Sequence, residues 1–235
     1  MSAFELKIIA IIAMFIDHFA YVFDGRIVST FVPVMRMVGR MTFPIFAYFV
    51  GEGFRHTRDI RKYLARLGVF ALISQVPFTL AFYNARIYPQ YEAVWLDFGR
   101  QNIFFTLFLG LLAACMYRKL SAKWYYPVLF SQTFIAAMFL QADFGLIGMI
   151  LVFACAVIER KAYRLTVLLL GGLALHMQLE GVTMLMMNAG YFAAIMLLAL
   201  YNGKQGPKMK WLFYIFYPLH LLLLFGLMIL YETFL

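Results

Sequence analysis

Leu6-Lys7-Ile-Ile-Ala-Ile-Ile-Ala-Met-Phe-Ile-Asp17-His18-Phe-Ala-Tyr-Val-Phe23 decides the fold. Between Lys7 and Asp17 every residue is apolar, and the segment 6–23 as a whole is close to the roughly 20 residues a helix needs to span a bilayer. Asp24-Gly25-Arg26 follows it, where a cleaved leader would have a small-residue cleavage site. The stretch therefore reads as a retained first transmembrane helix.

Outward from there the pattern repeats. Further apolar segments run over 31–53, 63–83, 102–117, 124–140, 144–158, 163–178, 182–201 and 211–233. Hydrophobic residues make up 65% of the chain and charged residues 13%. A soluble domain averages about half apolar and about a quarter charged. Too few charges exist to wrap so apolar a core in water, so lipid must cover the outside. The expected fold is all-α: a polytopic integral membrane helical bundle of about nine transmembrane helices, forming one domain over 1–235 with no soluble part. The fourth to seventh segments are short, and some of them are expected to be tilted, broken or only partly spanning.

The loops set the orientation. One set contains Arg55, Arg58, Arg61 and Lys62; Arg118, Lys119 and Lys123; Arg160, Lys161 and Arg164; Lys204, Lys208 and Lys210. The alternate loops have few bases and more acids, among them Asp24, Glu92, Asp97, Asp143 and Glu180. The positive-inside rule then gives N-in/C-out in a bacterial cytoplasmic (inner) membrane. The net charge of +9 follows from this topology and does not suggest nucleic acid. The outward loop 84–101 contains Tyr88, Pro89, Tyr91, Trp95 and Phe98, and reads as an interfacial aromatic cap. Cys115 and Cys155 lie in apolar runs and read as small buried hydrophobes, neither a disulfide nor a metal pair.

Ionisable residues inside a bilayer are expensive and mark candidate sites. Lys7 and His18 are eleven residues apart, about three full turns, so they share one helix face about 16 Å apart along the axis. A ligand reaching from one to the other would be long, thin and anionic at one end, the shape of acyl-coenzyme A. Arg36 and Arg40 share a face of the second segment at comparable depth, and Asp17 is a natural ion-pair partner for one of them. Mutual neutralisation that fixes helix packing is an equally good reading of these charges. His220 follows Pro218 about ten residues into the last segment, again near the midplane. No third ligand stands at a telling spacing from the two histidines, so no metal is expected. Two basic stretches face the cytoplasm: Glu52-Gly-Phe-Arg55-His56-Thr-Arg58-Asp-Ile-Arg61-Lys62 and Asn202-Gly-Lys204-Gln-Gly206-Pro-Lys208-Met-Lys210. Phosphate binding and plain positive-inside topology both account for them.

These residues fall in blocks that resemble the TraX family. The blocks are Leu6 to His18; Arg36-Met-Val-Gly-Arg40-Met-Thr-Phe-Pro44-Ile-Phe-Ala; Glu52-Gly-Phe-Arg55-His56-Thr-Arg58; and Ile73-Ser-Gln-Val-Pro77-Phe. They continue with Asn102-Ile-Phe-Phe-Thr106-Leu, Asp143-Phe-Gly145, Tyr201-Asn202-Gly203-Lys204 and Phe213-Tyr-Ile-Phe-Tyr-Pro218-Leu-His220-Leu, in order along almost the whole chain. The family's named member acetylates the N-terminus of F-pilin. The family is similar to a broader set of membrane acyltransferases that includes bacterial O-antigen acetylases and the lysosomal heparan-α-glucosaminide acetyltransferase. In the O-antigen group a basic residue, ten residues and a histidine mark the first helix, a spacing that Lys7 and His18 match. Those relatives commonly have about ten core helices, one more than here.

The resemblance implies an acetyltransferase with acetyl-coenzyme A as cosubstrate. It makes His18 the catalytic histidine and puts Lys7 on the acyl-coenzyme A path. The mechanism expected from the residues themselves has His18 as general base, Asp17 or Arg40 orienting it, and His220 supporting it or accepting a proton, with a covalent acetyl-imidazole intermediate as the alternative. Lys7, Arg55, His56, Arg58, Arg61, Asn202, Lys204 and Lys210 are the candidate coenzyme A contacts. Arg36, Glu52, Asn102 and Asp143 are candidates for the acceptor, which would be a peptide, protein or glycan amine or hydroxyl. On physical grounds alone, a proton-coupled transporter or small-molecule carrier, or a scaffold of structural ion pairs, uses the same residue types.

Overall fold

The computed structural model describes residues 1–87 and 90–234. Tyr88 and Pro89, part of the expected aromatic cap, lie outside them. Each of the nine apolar segments is helical, and no strand forms among the described residues beyond an isolated bridge between Gln101 and Ala142.

Helix α1 (Ala3–Val22) starts at a capping box: the Ser2 hydroxyl accepts from the Glu5 N–H, and the Glu5 carboxylate accepts from the Ser2 N–H at 2.7 Å. The second segment is not continuous. A 3₁₀ turn at Ser29–Phe31 leads into α2 (Val32–Gly39), and α3 (Thr42–His56) begins only after a break at Arg40–Met41. Pro44 explains the break: it has no N–H for the carbonyl of Arg40, and its ring would collide with that carbonyl. The third segment breaks for the same reason. Helix α4 (Ile60–Ile73) ends four residues before Pro77, and α5 (Gln75–Phe78), a π-helical turn at Thr79–Tyr83 and α6 (Asn84–Ile87) follow. The remaining helices are α7 (Ile103–Tyr117), α8 (Tyr126–Phe139), α9 (Gly145–Val157), α10 (Lys161–His176), α11 (Gly181–Ala199) and α12 (Lys210–Phe234).

Helices α11 and α12 are long and apolar enough to cross a bilayer, and the broken pair α4 plus Gln75–Ile87 gives a third span if counted as one. Helices α7, α8 and α9 have 15, 14 and 13 residues, about 20 Å each, short of the roughly 30 Å hydrocarbon core. Helix α12 is apolar on its outside: Leu219, Leu223 and Leu230 are more than half exposed, while His220 is buried. That inversion suits lipid, and the chain is a helical membrane protein.

The chain forms two compact units: Met1–Phe46, Ile73–Asp97 and His176–Leu235 in one, Ala47–Leu72 and Phe98–Leu175 in the other. In the first, α1 and α12 lie side by side. Phe4 meets Phe213, His18 meets His220 and Phe23 meets Tyr231, in rising order along both helices, so the two run parallel. An Arg26–Glu232 ion pair closes the far end. Helix α2 passes α11 at Gly190, where a Cβ would stand 1.9 Å from the carbonyl oxygen of Met37. In the second unit Leu109, Ala113, Ala137 and Met149 form a core lined by Phe108, Phe130, Phe134 and Phe153.

Candidate functional site

The parallel register of α1 and α12 sets His18 against His220. His18 Nδ1 and His220 Nε2 are 2.7 Å apart, with ring centroids at 4.9 Å and planes within 15°. The rings therefore meet edge to edge, nitrogen to nitrogen. The Nδ1–H of His220 donates to the carbonyl of Phe216 at 2.8 Å. Both histidines are buried, at 9% and 2% exposure. The edge of Phe82, from the π-helical turn, covers His18 at 4.9 Å, and Tyr217 lies edge-on at 6.1 Å. Single-turn π segments occur frequently at functional sites, and this one aims an aromatic ring at the candidate base. Among the described residues the far nitrogen of His18, Nε2, has no hydrogen-bond partner.

Asp17 binds both arginines rather than one. Arg36 Nη1 reaches its carboxylate at 2.9 Å and Arg40 Nη2 at 3.1 Å. Arg40 Nε also donates to the Arg36 carbonyl at 3.3 Å, and the Arg36 guanidinium lies over the Tyr21 ring at 5.2 Å. The Asp17 carboxylate is thus turned to the arginines, and it is His220 that holds the His18 ring. One carboxylate between two guanidiniums leaves a net positive charge beside the histidine pair.

Lys7 lies over the ring of Phe213 at 5.5 Å, one turn into α12 from Lys210. The Asn202–Gly206 loop is stitched to the start of α1: the Ala3 N–H donates to the Lys204 carbonyl at 2.8 Å and the Phe4 N–H to the Gln205 carbonyl at 3.2 Å. The Asn202 side chain accepts from the Lys204 N–H at 3.0 Å. Lys7, Asn202, Lys204 and Lys210 therefore gather at one end of the first unit, and His18, His220, Asp17, Arg36 and Arg40 lie deeper in it.

The other candidates belong to the second unit. Glu52 binds Arg164 at 2.5 Å and Arg55 at 2.9 Å, with His56 at 3.6 Å. Arg55 Nη1 also donates to the carbonyls of Cys155, Ala156 and Ile158, capping the C-terminus of α9. Arg164 is buried with its guanidinium 4.4 Å from the Tyr48 ring. Arg58 and Arg61 are exposed. Asp59 caps α4, and the Lys62 backbone N–H on its carboxylate holds its pKa below the ordinary value. Asn102 is fully buried, its amide donating to the Ala71 carbonyl at 2.7 Å and accepting from the Phe104 N–H at 3.0 Å. The Asp143 carbonyl accepts from the Thr106 hydroxyl.

One residue of this kind is absent from the sequence-derived candidates. His176, 5% exposed, pairs through Nδ1 with Asn188 Oδ1 at 2.9 Å. It has the signal that singled out His18, an imidazole within an apolar run. Among the described residues no three His, Cys, Asp or Glu side chains group to hold a metal ion.

The comparisons with known proteins agree with the sequence blocks. The TraX protein family matches residues 2–228. A probable fimbrial assembly protein, FimC of serogroup H1 from Dichelobacter nodosus, is 36% identical over 240 residues, covering 95% of this chain and 94% of that protein. No solved structure matches. On a match that runs through nearly all of its length, the chain belongs to the TraX family.

Proposed function

We propose that this protein is a membrane-embedded acetyltransferase that moves an acetyl group from cytoplasmic acetyl-coenzyme A to an amine or hydroxyl at or across the bacterial cytoplasmic membrane. A peptide N-terminus, as in a pilin subunit, is the acceptor that the family and the fimbrial assembly relative favour. In this reading the chain crosses the bilayer nine times, N-in and C-out. The alternation of basic loops supports that topology, and so does the parallel pairing of α1 with α12, since an odd number of crossings leaves the first and last helices parallel.

One observation carries the reading. A buried imidazole with one nitrogen engaged and the other open lies about 16 Å along α1 from a cluster of lysines. The lysine end suits the coenzyme A phosphates, and the pantetheine arm suits the span to His18. His18 Nε2 takes the acceptor's proton as the acceptor attacks the thioester carbonyl. The new C–N or C–O bond forms, the C–S bond breaks, and the departing thiolate recovers the proton. General-base help of this kind contributes about 10²–10⁴ in rate. The surplus positive charge of Arg36 and Arg40 over Asp17 favours the oxyanion of the tetrahedral intermediate.

A proton-coupled carrier is the competing reading, favoured by the helix break at Arg40–Met41 beside intramembrane charges. Thermal unfolding in detergent with and without coenzyme A separates the two. A ligand at a hundred times its dissociation constant stabilises the folded state by about 2.7 kcal/mol. The acetyltransferase reading expects a raised midpoint, and an unchanged one supports the carrier.

A further inference from the structure

We infer that His220 is the positioning residue that locks His18 into a single tautomer and gives the transferred proton a second resting place. This rests on the acetyltransferase reading above and deepens it. The carbonyl oxygen of Phe216 only accepts, so the His220 nitrogen 2.8 Å from it, Nδ1, must carry a hydrogen. In a neutral imidazole the other nitrogen then bears a lone pair, so His220 Nε2 is an acceptor. The atom facing it at 2.7 Å is His18 Nδ1, which must therefore be the N–H donor. That leaves the lone pair of His18 on Nε2, the nitrogen with no partner. A backbone carbonyl, read through two rings, thus aims one basic nitrogen away from the pair.

The consequence is chemical. A carboxylate behind a catalytic histidine stabilises the imidazolium by charge, but His220 is neutral and can do so only by accepting a proton. When His18 Nε2 takes the acceptor's proton, the Nδ1 proton of His18 moves to His220 Nε2. His220 then holds both ring protons and the positive charge, one N–H on Phe216 and the other on His18 Nδ1. The two shifts reverse when the coenzyme A thiolate takes its proton from His18 Nε2. Nothing is consumed and the pair returns to its starting tautomers.

Two measurements test this, the first without activity. In ¹⁵N NMR of histidine-labelled protein in detergent, assigned through His18→Gln, neutral His18 is expected as the Nδ1–H tautomer with Nε2 unprotonated. A His18 protonated on Nε2 overturns the inference, whatever reaction the protein catalyses. The second uses His220→Gln, whose side-chain oxygen still accepts from His18 Nδ1 but cannot take a proton. Its kcat is expected to fall tenfold to a hundredfold with an unchanged KM for acetyl-coenzyme A. The rate in mixed H₂O and D₂O is expected to change from the curved dependence of two protons in flight to the straight line of one. A His220→Gln enzyme with wild-type kcat and a still-curved dependence overturns the relay. Wild-type protein that never transfers acetyl groups, with His18 found as Nδ1–H, refutes the acetyltransferase reading and leaves the tautomer lock standing.

Discussion

Gly39 lies flush against Asp17. A methyl group on residue 39 would stand 2.2 Å from the Asp17 Cβ and 2.3 Å from its carboxyl carbon. Helix α2 can bring Arg36 and Arg40 to one carboxylate only because residue 39 has no side chain.

Gly39→Ala is therefore expected to part the carboxylate from its guanidiniums and to destabilise the protein by about 1–3 kcal/mol, the usual range for forced overpacking. Gly226→Ala is the control: nothing lies within 4 Å of its Cβ position, and helix propensity favours alanine by about 1 kcal/mol. Thermal midpoints in one detergent, measured side by side, should move in opposite directions.

Asp17→Asn leaves two guanidiniums without their carboxylate. The expected loss is about 3 kcal/mol, the low end for breaking a buried pair, because the Arg36 side chain keeps 26% exposure. Removing one cation as well, in Asp17→Asn with Arg36→Met, should recover part of that loss. Equal midpoints for the single and double variants would mean the pair is not coupled.

In the second unit, Arg55→Ala removes the donor from three carbonyls at the end of α9 and one partner from Glu52. Stranded backbone acceptors cost about 1–3 kcal/mol each when buried, so a loss of at least about 2 kcal/mol is expected. Arg58→Ala, at an exposed position, should stay within about 0.5 kcal/mol of wild type. Urea or thermal unfolding of both variants checks the contrast. A neutral Arg55→Ala would argue against the cap.

Lys7→Gln tests the proposed binding of coenzyme A at the lysine end of the first unit. Coenzyme A affinity is expected to fall about tenfold, roughly 1.4 kcal/mol, and the wild-type value should weaken with added salt. At saturating acetyl-coenzyme A the variant's kcat should be unchanged, since Lys7 lies about 16 Å along α1 from His18. Titration by thermal shift and a full kinetic profile give both quantities.

The helical segments are legible in the sequence, because apolar runs and their basic flanks are strong local signals. The breaks at Arg40–Met41 and Ser74 depart from the expected unbroken second and third segments: Pro44 and Pro77 cause them, but the surrounding hydrophobicity hides that local signal. Asp17 is recognisable as an ion-pair partner, yet its hold on both arginines depends on the bare face of Gly39. The match in depth between His18 and His220 follows from counting residues. The hydrogen bond between them joins positions 202 residues apart, and only the register of α1 against α12 fixes it. The Glu52–Arg164 pair, 112 residues apart, is of the same kind. No local pattern encodes which charged side chains meet.

The most direct test of the account is acetyl transfer by purified protein in detergent, wild type beside His18→Ala. The readout is coenzyme A thiol released from acetyl-coenzyme A in the presence of a peptide with a free N-terminus. Turnover by wild type, a loss of at least about 10²-fold in His18→Ala, and stabilisation of both proteins by coenzyme A are expected. A folded His18→Ala that turns over at the wild-type rate would contradict it.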